Sequence, residues 1–237
     1  MEFVASGQQA AGSPRIDGKP GLTRKALLLG TSLFVYAAAP SPAFAAGEQC
    51  GPAPAGPGTV HCTPAGNPYA TGIDYGPTPD DLTLVLDPGV VTVGGVSVTS
   101  TAADADLRVE GPVYTFVYST ASGEAGVLVT SPDGSAYVDM DHVTTLGDNA
   151  IGISAAAQKF TTVIADTVLT SGQSSDGINA STSPTVYAGG PVSVTVADLT
   201  TIGDYSRGIV ATGNSSAGYS GADVTVDAGN VSTYGYE

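Results

Sequence analysis

Apolar and polar residues alternate in a fixed frame through residues 136–237. With Gly147, Gly172, Gly203 and Gly235 aligned, nine residues earlier stand Val138, Val163, Val194 and Val226. Seven residues earlier are Met140, Ala165, Val196 and Ala228, and four earlier are Val143, Val168, Leu199 and Val231. Two residues earlier there is always threonine, at Thr145, Thr170, Thr201 and Thr233. A second glycine and an isoleucine follow in the first three copies, at Gly152-Ile153, Gly177-Ile178 and Gly208-Ile209. Alanine stands two residues beyond each isoleucine, at Ala155, Ala180 and Ala211. Period-2 alternation puts the apolar side chains on one face of a strand. The pieces are too short for helices and rich in Val, Thr and Ile, which favour strands. The glycines suit corners that need positive φ or close backbone approach.

The first glycines fall 25, 31 and 32 residues apart. The extra residues of the longer units lie at 181–191 and 212–223, which read as Gly/Ser/Thr/Pro-rich loops extruded from one corner. A recurring unit of three short strands with one variable corner predicts an all-β, right-handed parallel β-helix, a solenoid whose stacked coils share one narrow core. A β-sandwich is the competing architecture. It would give regular turn signals without returning the same residue types to the same places.

The N-terminus bears on compartment. Arg24-Lys25 precede an apolar run over 26–39, and Ala43-Phe44-Ala45 supplies a small-residue site. These are the three parts of a secretory signal peptide, with cleavage expected after Ala45 to leave Ala46 first. The run is too short for a transmembrane helix, which takes about 20 apolar residues. Residues 1–23 form a polar extension, either an extended signal or the product of a start codon placed too early. The two cysteines, Cys50 and Cys62, follow closely, and in an oxidising compartment such a pair is most simply a disulfide. A metal site would want more ligands than the nearby His61.

Beyond the signal, residues 46–80 read as a Pro/Gly-rich lead-in. Residues 81–135 read as atypical capping coils, with Gly123 to Val127 a degenerate copy of the glycine corner. Residues 136–237 read as regular coils. The fourth copy stops just after Gly235, so the solenoid is expected to be truncated. Residues 46–237 carry 3 basic and 20 acidic residues, a net charge of −17. Such a surface repels phosphate backbones, so a nucleic-acid partner is not expected.

The signal peptide, the Cys-containing lead-in and the coils typified by Gly203-Asp204-Tyr205-Ser206-Arg207-Gly208-Ile209 resemble the N-terminal part of a Gram-negative autotransporter passenger, secreted by the type V route. The stretch from Cys62 to Tyr69, followed by Asp81-Leu82-Thr83-Leu84-Val85-Leu86, is similar to the openings of alphaproteobacterial members. The resemblance covers nearly everything after residue 23. It implies export across the inner membrane to the cell surface, outer membrane or extracellular space. It also implies a C-terminal outer-membrane β-barrel absent from this sequence, and glycans, matrix or other cell surfaces as partners. The expected role is a non-enzymatic, adhesin-like stalk, and fold alone does not supply it.

The rival class is a polysaccharide-acting β-helix enzyme, a lyase or glycosidase. A glycosidase needs two carboxylates across a cleft. Asp139 and Asp141 are expected to face outward on one strand, with Asp166, Asp198 and Asp204 near them on stacked coils. Solvated surface acids are the simpler reading. The cations available to a lyase are Arg108, Lys159 and Arg207, none in a distinctive motif. His142 follows Asp141 without a nucleophile motif beside it and reads as a surface residue. Neither the calcium-binding nonapeptide nor an EF-hand spacing is present, so no metal or cofactor is expected. Asp148 and Asp204 are expected to accept backbone N–H groups in turns. Asn179, Asn214 and Asn230 stand in sequons that read as ordinary turns.

The register carries a prediction. Val194→Asp or Ile209→Asp should fray the neighbouring coils, at a cost of several kcal/mol, because each buries an unpaired charge. Asp139→Asn should do little. Thermal melts followed by circular dichroism check all three, and wild-type melting of both core variants would refute the register.

Overall fold

A computed structural model describes residues 50–183, 190–214 and 222–236 of the chain. The expected signal peptide, including Ala45 and Ala46, lies outside them, as do parts of the two expected corner loops.

The described residues form parallel strands in two sheets. The first sheet contains β1 (Gly58–Cys62), β3 (Leu82–Leu86), β6 (Leu107–Ser119), β8 (Ala136–Thr145), β10 (Thr161–Ser171), β12 (Val192–Ile202) and β14 (Val224–Tyr234), in that order. The short β4 (Val91–Thr92) joins it beside β6. The second sheet runs in the order β2 (Ile73–Thr78), β5 (Val96–Ser100), β7 (Ala125–Ser131), β9 (Ile151–Ala157), β11 (Asp176–Thr182) and β13 (Ile209–Gly213). The chain passes from one sheet to the other and back, advancing one strand each time. This is a parallel β-helix.

The aligned columns of the sequence are the rungs of this stack. Val138, Val163, Val194 and Val226 pair strand to strand, as do Ile153, Ile178 and Ile209 in the second sheet. Val138, Val163, Val194, Ile153 and Ile178 are fully buried. Each such side chain stabilises the stack by about 1.5–3 kcal/mol. Among the described residues β14 and β13 have a neighbouring strand on one side only, and there Val226 and Val231 are half exposed and Ile209 partly buried. Val194→Asp is therefore the sharper of the two core tests.

Two of the three strands expected per coil are one long bent strand. Along β8 Val138 and Met140 are buried in alternation, Asp141 is buried immediately after, and Val143 and Thr145 continue in the opposite phase. The ladder to β10 steps from Met140↔Ala165 to His142↔Thr167, leaving out Asp141 and Asp166. The chain turns a corner there, so both arms point their apolar residues into one lumen.

The lead-in is more regular than its composition predicts. β1 and β2 lie inside residues 46–80, and β1 pairs along its whole length with β3. Thr59-Val60-His61-Cys62 alternates like the later coils, with Val60 and Cys62 inward, and this outweighs the preceding Pro/Gly run. Cys50 and Cys62 are bonded, with Cα atoms 4.8 Å apart. Residues 81–135 pair in register with one another, as at Val98↔Val129, and with the regular coils, as at Val127↔Ile153. Their departure is a bulge in β6. Gly111 pairs with Met140 and Phe116 with His142, so residues 112–115 stand opposite Asp141 alone.

The repeated motif is explained residue by residue. A Cβ on the first glycine would strike the carbonyl oxygen of the coil before: Gly172 would lie 2.4 Å from Gly147 O, and Gly203 2.0 Å from Gly172 O. The next residue reaches forward: Asp148 Oδ1 accepts from Gln173 N at 2.8 Å, and Asp204 Oδ1 from Tyr236 N at 2.8 Å. The serine reaches back: Ser175 Oγ donates to Gly147 O at 2.8 Å, and Ser206 Oγ to Gly172 O at 3.1 Å. The second glycine admits the next coil's second arm, since a Cβ on Gly152 would lie 2.6 Å from Val168 Cγ1 and 2.5 Å from Gly177 O.

The residue two after the first glycine adopts the left-handed conformation in each coil, at Asn149, Ser174 and Tyr205, with φ of 56°, 56° and 60°. Gly123, with φ of 76°, fills that position one coil earlier. The degenerate corner is thus aligned on Ala121, whose carbonyl lies beneath Gly147, and on Gly126.

Two substitutions test this corner. Gly152→Ala should cost about 1–3 kcal/mol, because its Cβ meets backbone that cannot move without shifting a coil. Tyr205→Asn should gain up to about 1 kcal/mol, since asparagine tolerates the left-handed region better than a bulky residue. Urea denaturation midpoints read both.

Candidate functional site

Near the bend of the first sheet, charged and aromatic side chains meet on its outer face. Arg108 pairs in register with Tyr137, and Glu110 with Asp139, because β6 and β8 align there. Alternation turns all four away from the lumen. The Arg108 guanidinium lies 4.3 Å from the centre of the Tyr137 ring and its Nη2 is 2.9 Å from Glu110 Oε1. The Tyr137 hydroxyl makes a long hydrogen bond, 3.4 Å, to Asp139 Oδ2.

Asp139 binds its proton more tightly than an ordinary aspartate. Burial is the main cause. The Tyr137 hydrogen bond works against it, the neighbouring Glu110 and Asp166 charges add to it, and Arg108 opposes it. Tyr137 also holds its proton more tightly, chiefly through burial and then the Asp139 charge. The cluster sets a carboxyl of raised proton affinity beside two other carboxylates and one cation, a group of hydrogen-bonding side chains suited to a hydroxyl-rich ligand.

Asp141 corrects the sequence expectation. It is buried, not outward-facing, because it occupies the bend where the strand changes phase. Its Oδ2 accepts from Tyr114 N at 2.5 Å, and its Oδ1 lies 2.9 Å from His142 Nδ1. Asp141 thus holds the bulge of residues 112–115 in place. The bulge presents Val113 and Tyr114 to solvent, with Tyr114 69% exposed and its φ at 52°. Beside it Phe116 packs on the His142 ring, centroids 5.0 Å apart.

Of the acids expected to gather, Asp139 and Asp166 lie close enough to interact. The others serve elsewhere. Asp198 Oδ1 accepts from Asn230 Nδ2 at 2.7 Å, and Asp204 is a corner staple. Arg207 donates through Nε and Nη2 to the buried Asp176, and Lys159 Nζ lies 3.2 Å from Asp104. His61 lies 3.2 Å from Asp87. Sequence reasoning missed Glu110, Tyr137 and the bulge. The first two stand in the alternating outward frame of β6 and β8, but register was assigned only from residue 136 onward. Among the described residues no group of three or more His, Cys, Asp or Glu is placed to hold a metal ion.

The raised proton affinity of Asp139 gives a pH signature. Its folded pKa exceeds its unfolded one, so its contribution is favourable at low pH and is lost as pH rises through the folded value. Asp139→Asn should therefore be slightly more stable than wild type at pH 7, by about 0.5 kcal/mol or less given its partial exposure, and should lose that advantage below the ordinary aspartate range. Denaturation midpoints across that pH range read the difference. No protein-family model matches this chain, and no curated protein or solved structure matches it either.

Proposed function

We propose that this chain is the passenger segment of a type V, autotransporter-like secretion system, working as an adhesin-like stalk at the cell surface or outside the cell. The observation that carries this reading is the in-register parallel stack, which makes a rigid rod with regular outward columns. Those columns are rich in hydroxyls, as at Thr162, Ser193 and Thr225, paired across β10, β12 and β14. Regularly spaced hydroxyls and carboxylates suit many weak contacts with glycans, matrix or other cells. The acidic exterior favours partners that are neutral or basic.

A second reading draws on Asp139. A carboxyl of raised proton affinity beside Glu110 and Asp166, on the outer face of the first sheet, is the kind of group a polysaccharide-acting enzyme uses as its acid. It predicts release of reducing ends or unsaturated sugars from a polysaccharide, abolished by Asp139→Asn with the fold intact.

Export and adhesion are tested together. Produced in a Gram-negative host, the chain should leave the cytoplasm with Ala46 as its first residue, read by N-terminal sequencing. The purified protein should retain glycan-coated beads under flow without changing the glycan. Retention in the cytoplasm with residues 1–45 attached would refute the secretion reading. Export without adhesion would refute the adhesin role.

A further inference from the structure

The second sheet carries a groove on its outer face that the stalk reading does not use. It crosses β2, β5, β7 and β9 and has a volume of about 490 Å³. Alternation builds it: Asp74, Ser97, Leu128 and Ser154 form one outward column in register. Glu124 lies on its far side, and Ala125 and Ile151, paired in the adjacent column, supply apolar floor with Leu128.

The charges are lopsided. The lining holds two carboxylates, Asp74 and Glu124, both exposed, and no Lys, Arg or His. Among the described residues neither acid has a cationic partner. None is to spare, since Arg108 is paired with Glu110, Lys159 with Asp104 and Arg207 with Asp176. An occupant that balances these acids must bring its own positive charge. The lining contains no aromatic ring, so a sugar has no face to stack on. The aliphatic floor fits an occupant with alkyl stems, and lysine and arginine combine such a stem with a charged head.

We propose that this groove binds an extended peptide segment bearing lysine or arginine, laid along the stack axis across the four strands. Its alkyl stems lie on Ala125, Leu128 and Ile151, and its charged heads reach Asp74 and Glu124. Four strands at ~4.8 Å separation span about 14 Å, the reach of roughly four extended residues. The peptide runs across the strands and not alongside the edge strand β2, so it is held by side chains and does not add a strand to the sheet. The inference holds whether or not the protein is displayed at a surface.

Calorimetric titration of the full chain with acetyl-Lys-Leu-Lys-Leu amide tests it, with the Glu-Leu-Glu-Leu analogue as comparison. The lysine peptide should bind with one-to-one stoichiometry, the glutamate peptide should not, and affinity should fall as ionic strength rises from about 0.01 M to 0.15 M. The pair Asp74→Asn and Glu124→Gln should weaken binding roughly tenfold or more. The pair Asp198→Asn and Asp227→Asn removes the same charge from the other sheet and should leave binding unchanged. Ser97→Trp fills the groove without altering charge and should abolish binding, which keeps the test decisive if the charge variant loses its fold. Absence of binding, equal loss in both charge-matched pairs, or full binding to Ser97→Trp would each overturn the assignment. None of these outcomes bears on export or bead adhesion, so the two readings fail separately.

Discussion

The constraint on which the stack depends is the passage of backbone over backbone at the glycine corner. Successive coils can pair only if they approach to the spacing of a β-ladder. At the corner that spacing leaves the carbonyl of one coil where a Cβ of the next would stand, at Gly172 over Gly147 and Gly203 over Gly172. A side chain there would prop the coils apart, and strands on both sides of the corner would lose their partners. The hydrogen bonds from Gln173 N to Asp148 and from Ser175 Oγ to Gly147 O act at the same place. They tie the corner to its neighbours above and below, so backbone polar groups there find partners within the stack.

The lumen is narrow because two arms and one short strand converge on it. The bend at Asp141 and Asp166 lets one continuous strand serve two walls, and Gly126, Gly152 and Gly177 let the second wall close onto the third. The threonine column, with Thr145, Thr170 and Thr201 fully buried, occupies that closure. The Thr170 methyl would lie 3.1 Å from a Cβ on Gly152, which explains why threonine and the second glycine recur together. The Thr170 hydroxyl donates to Ser175 O at 3.4 Å, while the methyl contact with the second glycine is the feature the column shares.

Much of this was legible in the sequence because a solenoid repeats its reasons. The columns through Val138 and Ile153 recur coil after coil and the aspartate staple occurs twice, at Asp148 and Asp204, and repetition separates a structural residue from an incidental one. Features that occur once left no such trace. The bulge at residues 112–115 is a single insertion, and its anchor Asp141 looks like any outward acid until the phase change of β8 is seen. The Arg108–Tyr137 and Glu110–Asp139 pairs needed a register that the loose spacing of the early coils hides. The groove of the second sheet was not legible at all, because it is made by small residues such as Ser97 and Ser154 beside larger neighbours. The left-handed corner was read at the glycines, whereas Asn149, Ser174 and Tyr205 also carry it, and no residue type marks that position.

The coil period also sets how the molecule yields to force. Strands of the first sheet pair only with the coils before and after, so tension along the stack is borne at any one moment by the single ladder at the point of peeling. Peeling it releases one coil's length while leaving the remaining ladders intact. With units of 25 to 32 residues, each event pays out roughly 80–110 Å of extended chain. A stack built this way is expected to lengthen in discrete steps, each one absorbing work.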